Sequence, residues 1–260
     1  MIRALSAAAT GLEAQSANIE RISNDLANVN TDAYKRGRIE FKDLMYETIK
    51  EPGEQLGVAS QTPVGVQRGM GVKVGGAHKI FDQGPAKMTN NQLDLMIEGT
   101  GFFPLQMPNG EVAYTRTGAF HRDVAGKVVL SNGARLLPEI TIPPNALGVQ
   151  ISPAGEFKAF LPGGQEAVIG QVQLVTFINE EGLSAQGSGV YKATQASGAP
   201  LQGVPGENGL GLVTQGALEG SNVNVANSMV DLIATQRAYE MNTKVMSVAD
   251  QMMGATTNIK

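Results

Sequence analysis

Residues 5–29 read LSAAATGLEAQSANIERISNDLANV, and the spacing of their apolar positions governs how the rest of the chain is read. Leu5, Ala8, Leu12, Gln15, Ile19, Ile22, Leu26 and Val29 succeed one another at alternating steps of three and four, an unbroken heptad seam with one polar member, Gln15. The seam predicts a long amphipathic helix. Asn28, Asn30, Thr31 and Asp32 then offer side chains that compete with the helical backbone for hydrogen bonds, so the helix is expected to stop near Val29.

The far end of the chain has a matching character. Ser221, Asn222 and Asn224 supply capping side chains, and two adjacent apolar rows follow them. One is Met229, Leu232, Tyr239, Met246, Met253; the other is Val230, Ala234, Ala238, Met241, Val245, Val248, Met252. Two rows make a face wider than one partner helix covers. One row is expected to pair with the first helix as an antiparallel coiled coil, and the other to meet a second subunit. A two-helix arm packed on the central region of a monomer is the plainer alternative. Against it, the stripes are rich in Ala and Met and almost free of aromatics, which suits close helix contact.

Backbone breakers divide the chain sharply. Of 32 Gly and 12 Pro, residues 1–30 hold only Gly11 and residues 222–260 only Gly254. The middle is therefore turn-rich, at about 22 per cent Gly plus Pro against a usual level of about 12. There the periodicity becomes alternating. Residues 93–97, 112–117, 128–130 and 171–178 read as strands, and Asn109-Gly110 and Asn132-Gly133 suit type I′ hairpin turns. The expected class is α+β: terminal helices 1–32 and 222–260, an extended connector over 33–71 in which 41–49 forms a short helix, and a β-rich region over 72–221.

Composition excludes several function classes. The net charge of -4, without a sustained basic run, argues against nucleic acid, and no apolar stretch is long enough to insert in a membrane. Ser6 and Thr10 interrupt the N-terminal apolar run, so no cleaved signal is expected. With no cysteine and two well-separated histidines, His78 and His121, no metal or other cofactor is expected. Gly69 to Gly75 is glycine-rich but leads into more strand, which does not suit a dinucleotide loop, and no nucleophile elbow is present. Asp94 and Asp123 read as strand-edge and turn residues, and Lys35, Arg36 and Arg38 as a solvated corner. No catalytic residues emerge. A secreted β-rich cell-wall enzyme remains the rival of another class, and peptidoglycan release by the purified chain would distinguish it.

The run Ile22-Ser23-Asn24-Asp25-Leu26-Ala27-Asn28-Val29-Asn30-Thr31-Asp32-Ala33-Tyr34-Lys35-Arg36 closely resembles the N-terminal signature of the bacterial flagellar rod and hook axial proteins. That signature has Asn where Asp25 stands and Gly-Phe where Ala33-Tyr34 stand. Further matches are Gly99-Thr100-Gly101-Phe102-Phe103, the stretch Tyr114 to Phe120 with Arg116, Ser221-Asn222-Val223-Asn224-Val225, and Gln236-Arg237-Ala238-Tyr239-Glu240. Leu44 to Ile49 followed by Pro52-Gly53 and a polar stretch to Gly71 resembles the distal-rod branch, with the proximal-rod and hook branches as alternatives. The resemblance implies a helical homopolymer, a rigid tube that carries torque and encloses part of an export channel. It also implies unfolded export through the flagellar type III apparatus. The partners it implies are proximal rod proteins, hook or hook-adapter subunits, the P-ring and L-ring bushing and a rod-capping protein.

Overall fold

The computed structural model describes residues 2–51, 55–57, 60–61 and 64–257. Its described part has two long helices, α1 (Ile2–Ala27) and α2 (Val225–Thr257), with strands between them. At 1.5 Å per residue α1 is roughly 40 Å long and α2 about 50 Å. The chain divides into two compact units: residues 1–27, 37–78 and 224–260 form one, and residues 28–36 and 79–223 the other.

In the helical unit, α1 ends at Ala27; Val29 lies in the turn beyond it, among the residues 28–36 of the other unit. The turn is closed by Thr31 N–H donating to the Asn28 carbonyl and Thr31 Oγ1 to Asn28 Oδ1. Asn224 caps α2, its Oδ1 accepting from Asn227 N at 3.2 Å, as its residue type predicts. Between the helices, Asn18 Nδ2 donates to Thr235 Oγ1 at 3.1 Å, and Asn242 Nδ2 lies 3.0 Å from where a Cβ on Gly11 would stand.

The expected connector is strand rather than loop or helix. Gly37–Asp43 pairs with Val72–Lys79, and Tyr46–Lys50 pairs with Val66–Gly69 antiparallel. The short helix expected over 41–49 fails because Arg38-Ile39-Glu40-Phe41-Lys42 alternates with period two, and backbone partners are available: Leu44 N–H donates to the Gly71 carbonyl at 2.9 Å. Residues 33–36 cluster with the β unit and 37–78 with the helices, so the boundaries at 32 and 71 do not coincide with the compact units. Part of the expected insertion, residues 52–54, 58–59 and 62–63, lies outside the described residues.

The β unit is built on a seven-stranded antiparallel sheet in the order Phe120–Arg122, Val128–Leu130, Arg135–Leu136, Phe103–Gln106, Val112–Thr115, Val190–Lys192, Ser184–Gly187. A three-stranded meander joins Gly148–Ile151, Glu156–Leu161 and Gln165–Gln171. Shorter pairs link 95–98 with 212–215, 86–88 with 217–219 and 174–176 with 201–203. Successive strand residues point to opposite faces, which is why Phe102 and Phe103 part company. Phe103 enters the main core with Leu105, Phe120, Leu136 and Phe157, its ring edge-on to Phe120 at 5.4 Å. Phe102 enters a second cluster with Tyr114, Val175, Phe177 and Tyr191. Gly118 is required by close approach, since a Cβ there would lie 1.6 Å from the Leu95 carbonyl oxygen.

Both Asn-Gly hairpins form, with a different turn. Gly110 and Gly133 have φ of 84° and 80°, while Asn109 and Asn132 are not among the positive-φ residues. Each glycine N–H donates three residues back, to Met107 and Leu130, and those residues donate forward to Glu111 and Ala134. This is a type I turn closed by a left-handed glycine, a three-residue loop, where type I′ needs positive φ at both centres. Asp123 to Lys127 and Ser152 to Glu156 repeat the pattern.

Candidate functional site

Two features stand out, one in each unit. In the β unit, Lys35, the supposed solvated corner, is only 1 % exposed. Its Nζ donates to Glu219 Oε1 at 2.6 Å, to the Asp82 carbonyl at 2.7 Å and to the Phe81 carbonyl at 3.4 Å. A buried ammonium needs this set of acceptors, because desolvation costs several kcal/mol unless charge and hydrogen bonds are met. Burial is the main influence lowering the Lys35 pKa below its ordinary range; Glu219 opposes it and Arg116 adds to it. Glu219 also accepts from Gly84 N at 2.9 Å and from Arg116 NH1 at 3.3 Å, and its carbonyl takes the Ala33 N–H at 2.7 Å.

Arg116 is fixed further by donation from NH2 to the Gly99 carbonyl at 2.8 Å, with its guanidinium 5.5 Å from the Phe102 ring centroid. Among the described residues, its Nε is the buried side-chain nitrogen that lacks a hydrogen-bond partner. A cavity of about 430 Å³, lined in part by Phe81, Asp82, Arg116 and Glu180, opens beside it. Burial pushes the Glu180 carboxyl up, partly offset by Arg116 and Lys35. Burial, with Glu219 in support, pushes the Tyr191 phenol up to about 12.

Asn222 closes the same junction. Its Oδ1 accepts from Arg36 N at 2.7 Å, and its Nδ2 donates to the Ile80 and Asp82 carbonyls at 2.9 and 3.1 Å. Lys79 Nζ donates to Tyr34 Oη at 3.1 Å and to the Lys35 carbonyl at 2.9 Å, standing 4.2 Å from the Tyr34 ring centroid. Tyr34, Lys35, Phe102, Arg116 and Asn222, scattered over almost 190 positions, thus share one junction. Glu219 was missed by the sequence reading; the available signal was a lone carboxylate following Ala217-Leu218 just before the Ser-Asn-Val-Asn run. Gly101 has φ of 131° and precedes Phe102, which bridges to Val175, and the strand that opens with Phe103. Asn30 and Thr31 are exposed, while Asn24 and Ala27 lie exposed on α1. Asp25, the departure from the family signature, is 2 % exposed, paired to Arg21 at 2.9 Å and accepting from Gly37 N.

In the helical unit, Ala8, Ala14 and Ile22 of α1 are buried and Leu5, Leu12, Ile19 and Leu26 half-buried. The covered row of α2 runs Ser228, Leu232, Thr235, Ala238, Asn242, Met246, Ala249, Met253, with Thr235 and Ala249 fully buried. It differs from the expected first row: Met229 and Tyr239 are exposed, and small or polar residues take the close positions. Of the second row, Ala238 belongs instead to this covered row, and the rest is uncovered, with Val230 66 %, Met241 63 % and Val245 50 % exposed, and Ala234, Val248 and Met252 exposed as well. Gln236 and Arg237 also face outward, Arg237 paired to Glu240 at 2.8 Å.

Residues 96–159 match the family model of the flagellar hook protein FlgE/F/G D1 domain, and residues 214–259 match that of the flagellar basal body rod FlgEFG protein C-terminal. The first block holds Phe102 and Arg116 of the junction, and the second holds Glu219, Asn222 and all of α2. A chain built on these two blocks is a flagellar axial protein of the rod and hook class. The flagellar basal-body rod protein FlgG of Caulobacter vibrioides is 45 % identical over all of both chains. That of Buchnera aphidicola from Schizaphis graminum is 44 % identical over 97 % of this chain and 98 % of its own, and that of Bacillus subtilis 32 % over all of both. The chain belongs to the flagellar basal-body rod protein FlgG family.

Proposed function

We propose that this chain is the structural subunit of a flagellar distal rod, polymerising into a rigid helical tube that passes motor torque to the hook and encloses part of the export channel. The observation that carries this reading is the uncovered apolar row on α2. Five long apolar side chains on one helix row stay in water in the single chain, and a second copy removes them from it. At about 25 cal/mol per Å² of buried apolar area, such a row is a strong drive to assemble.

The two helices act as an antiparallel coiled coil. The contacts of Asn18 with Thr235 and of Gly11 with Asn242 support this, because seven residues forward on α1 correspond to seven back on α2. In this reading the residues expected to serve assembly divide into the α1 seam with Leu232 and Met246, which join the helices of one subunit, and Met229, Tyr239, Met241, Val245, Val248 and Met252, which meet neighbouring copies. The protein works by shape and assembly rather than by chemistry. Its place is the periplasm-spanning rod, reached through the type III apparatus. Its neighbours are the proximal rod, the hook, the ring bushing and, during growth, the capping protein.

The test replaces Met241 and Val245 with Glu in the full chain. Polymer is expected to vanish from electron micrographs while the β-sheet circular dichroism of the soluble chain is kept. Normal polymers from the double variant would overturn the assignment of this face.

A further inference from the structure

The uncovered row on α2 carries sulfur in its middle. Met241, at 63 %, is the most exposed described methionine of that helix, and it continues at steps of four and three into Val245 and Val248. Met246, on the covered row, is only half-exposed. The chain has no cysteine, so its methionines are its only oxidisable sulfur. A thioether packs as an apolar group, whereas its sulfoxide is polar and chiral and disrupts methionine-rich contacts.

We propose that Met241 is a modification site at which a hydroperoxide converts the free subunit into an assembly-incompetent form, and that assembly, by covering the row, protects the same sulfur. This rests on the reading of that row as a contact between copies. A lone pair of Met241 Sδ attacks the outer peroxide oxygen, the S–O bond forms as the O–O bond breaks, and a proton passes to the departing oxygen. With hydrogen peroxide the second product is water. Sulfur loses two electrons and the peroxide gains them. Reduction of the sulfoxide returns the thioether, so the change is reversible.

Met88, 68 % exposed, is oxidised as readily but lies outside α2, and it supplies the internal comparison. Burying an unsatisfied sulfoxide oxygen in the contact is expected to raise the concentration needed for polymerisation by at least about tenfold.

The experiment treats the full-length soluble chain with hydrogen peroxide, maps each sulfoxide by peptide mass spectrometry, and measures the critical concentration for polymer by sedimentation. Met241 is expected to oxidise ahead of Met246 in the free chain and to be protected in polymer, and methionine sulfoxide reductase is expected to restore assembly. For Met241→Leu, or Met241→Ile as a second variant, the critical concentration after peroxide is compared with that of the same variant untreated, and its rise should be much smaller than in the parent chain, Met229 and Met252 being open to peroxide in all three. An unchanged critical concentration with Met241 fully oxidised overturns the proposal, as does equal peroxide sensitivity in both variants. An untreated chain that never polymerises overturns the assembly reading itself, and this inference with it.

Discussion

Glu219 neutralises two cations that no longer see water, Lys35 and Arg116, with side chains 0 % and 2 % exposed. Glu219→Gln keeps the shape but leaves that charge uncompensated, and removing one partner of a buried pair costs about 3–5 kcal/mol. Chemical denaturation should show a loss of that size, and the Lys35→Met/Glu219→Gln double variant should lose less than the two singles added together. Ala33 carries an opposite opportunity. It sits at φ 57°, where the family signature has glycine, and its N–H must reach the Glu219 carbonyl. A left-handed conformation costs an L-residue about 1–2 kcal/mol, part of which glycine gives back through its freer unfolded chain. Ala33→Gly is therefore expected to raise stability by about 0.5–1 kcal/mol, read as a higher melting midpoint. Tyr191 supplies a pH dependence. Its folded pKa of about 12 stands above the ordinary 10, so the stability it contributes is complete below pH 10 and is lost as pH rises towards 12. Phenolate absorbance of the native chain should show a late step that Tyr191→Phe removes; an unaltered titration would refute the assignment.

Among the elements, the helices and most strands were legible because period 3.6 and period 2 are written directly in residue order. The stretch over 41–49 was misread because it is short, and a short apolar run satisfies either period. Its strand Tyr46–Lys50 has backbone partners about 20 residues away, which no local pattern reveals. The hairpin of Tyr46–Lys50 with Val66–Gly69 keeps Met45, Tyr46, Ile49 and Val66 exposed. Such a ribbon suits contact with neighbouring copies and a stiffening role. Deleting part of residues 46–66 is expected to give a curved polymer in electron micrographs, and a straight, rigid one would remove that role. The turn types were misjudged for a related reason. Asn-Gly marks a turn, but the number of residues between the paired strands decides whether one or two centres adopt positive φ.

For the whole molecule, residue order alone determined the α+β class, the helical ends, the β-rich middle and the rod and hook resemblance. Each is carried by local periodicity, by the placement of glycine and proline, or by a contiguous motif. It also determined that α2 has more apolar surface than α1 can cover. Tertiary structure alone decided which side of α2 is covered, since both rows are apolar and the choice went to small and polar residues, Thr235, Asn242 and Ala249, that allow close approach. It alone decided that Lys35 is buried. A lysine in a basic run looks solvated until a carboxylate 184 residues away is brought to 2.6 Å, and that pairing belongs to the folded β unit rather than to any stretch of its sequence.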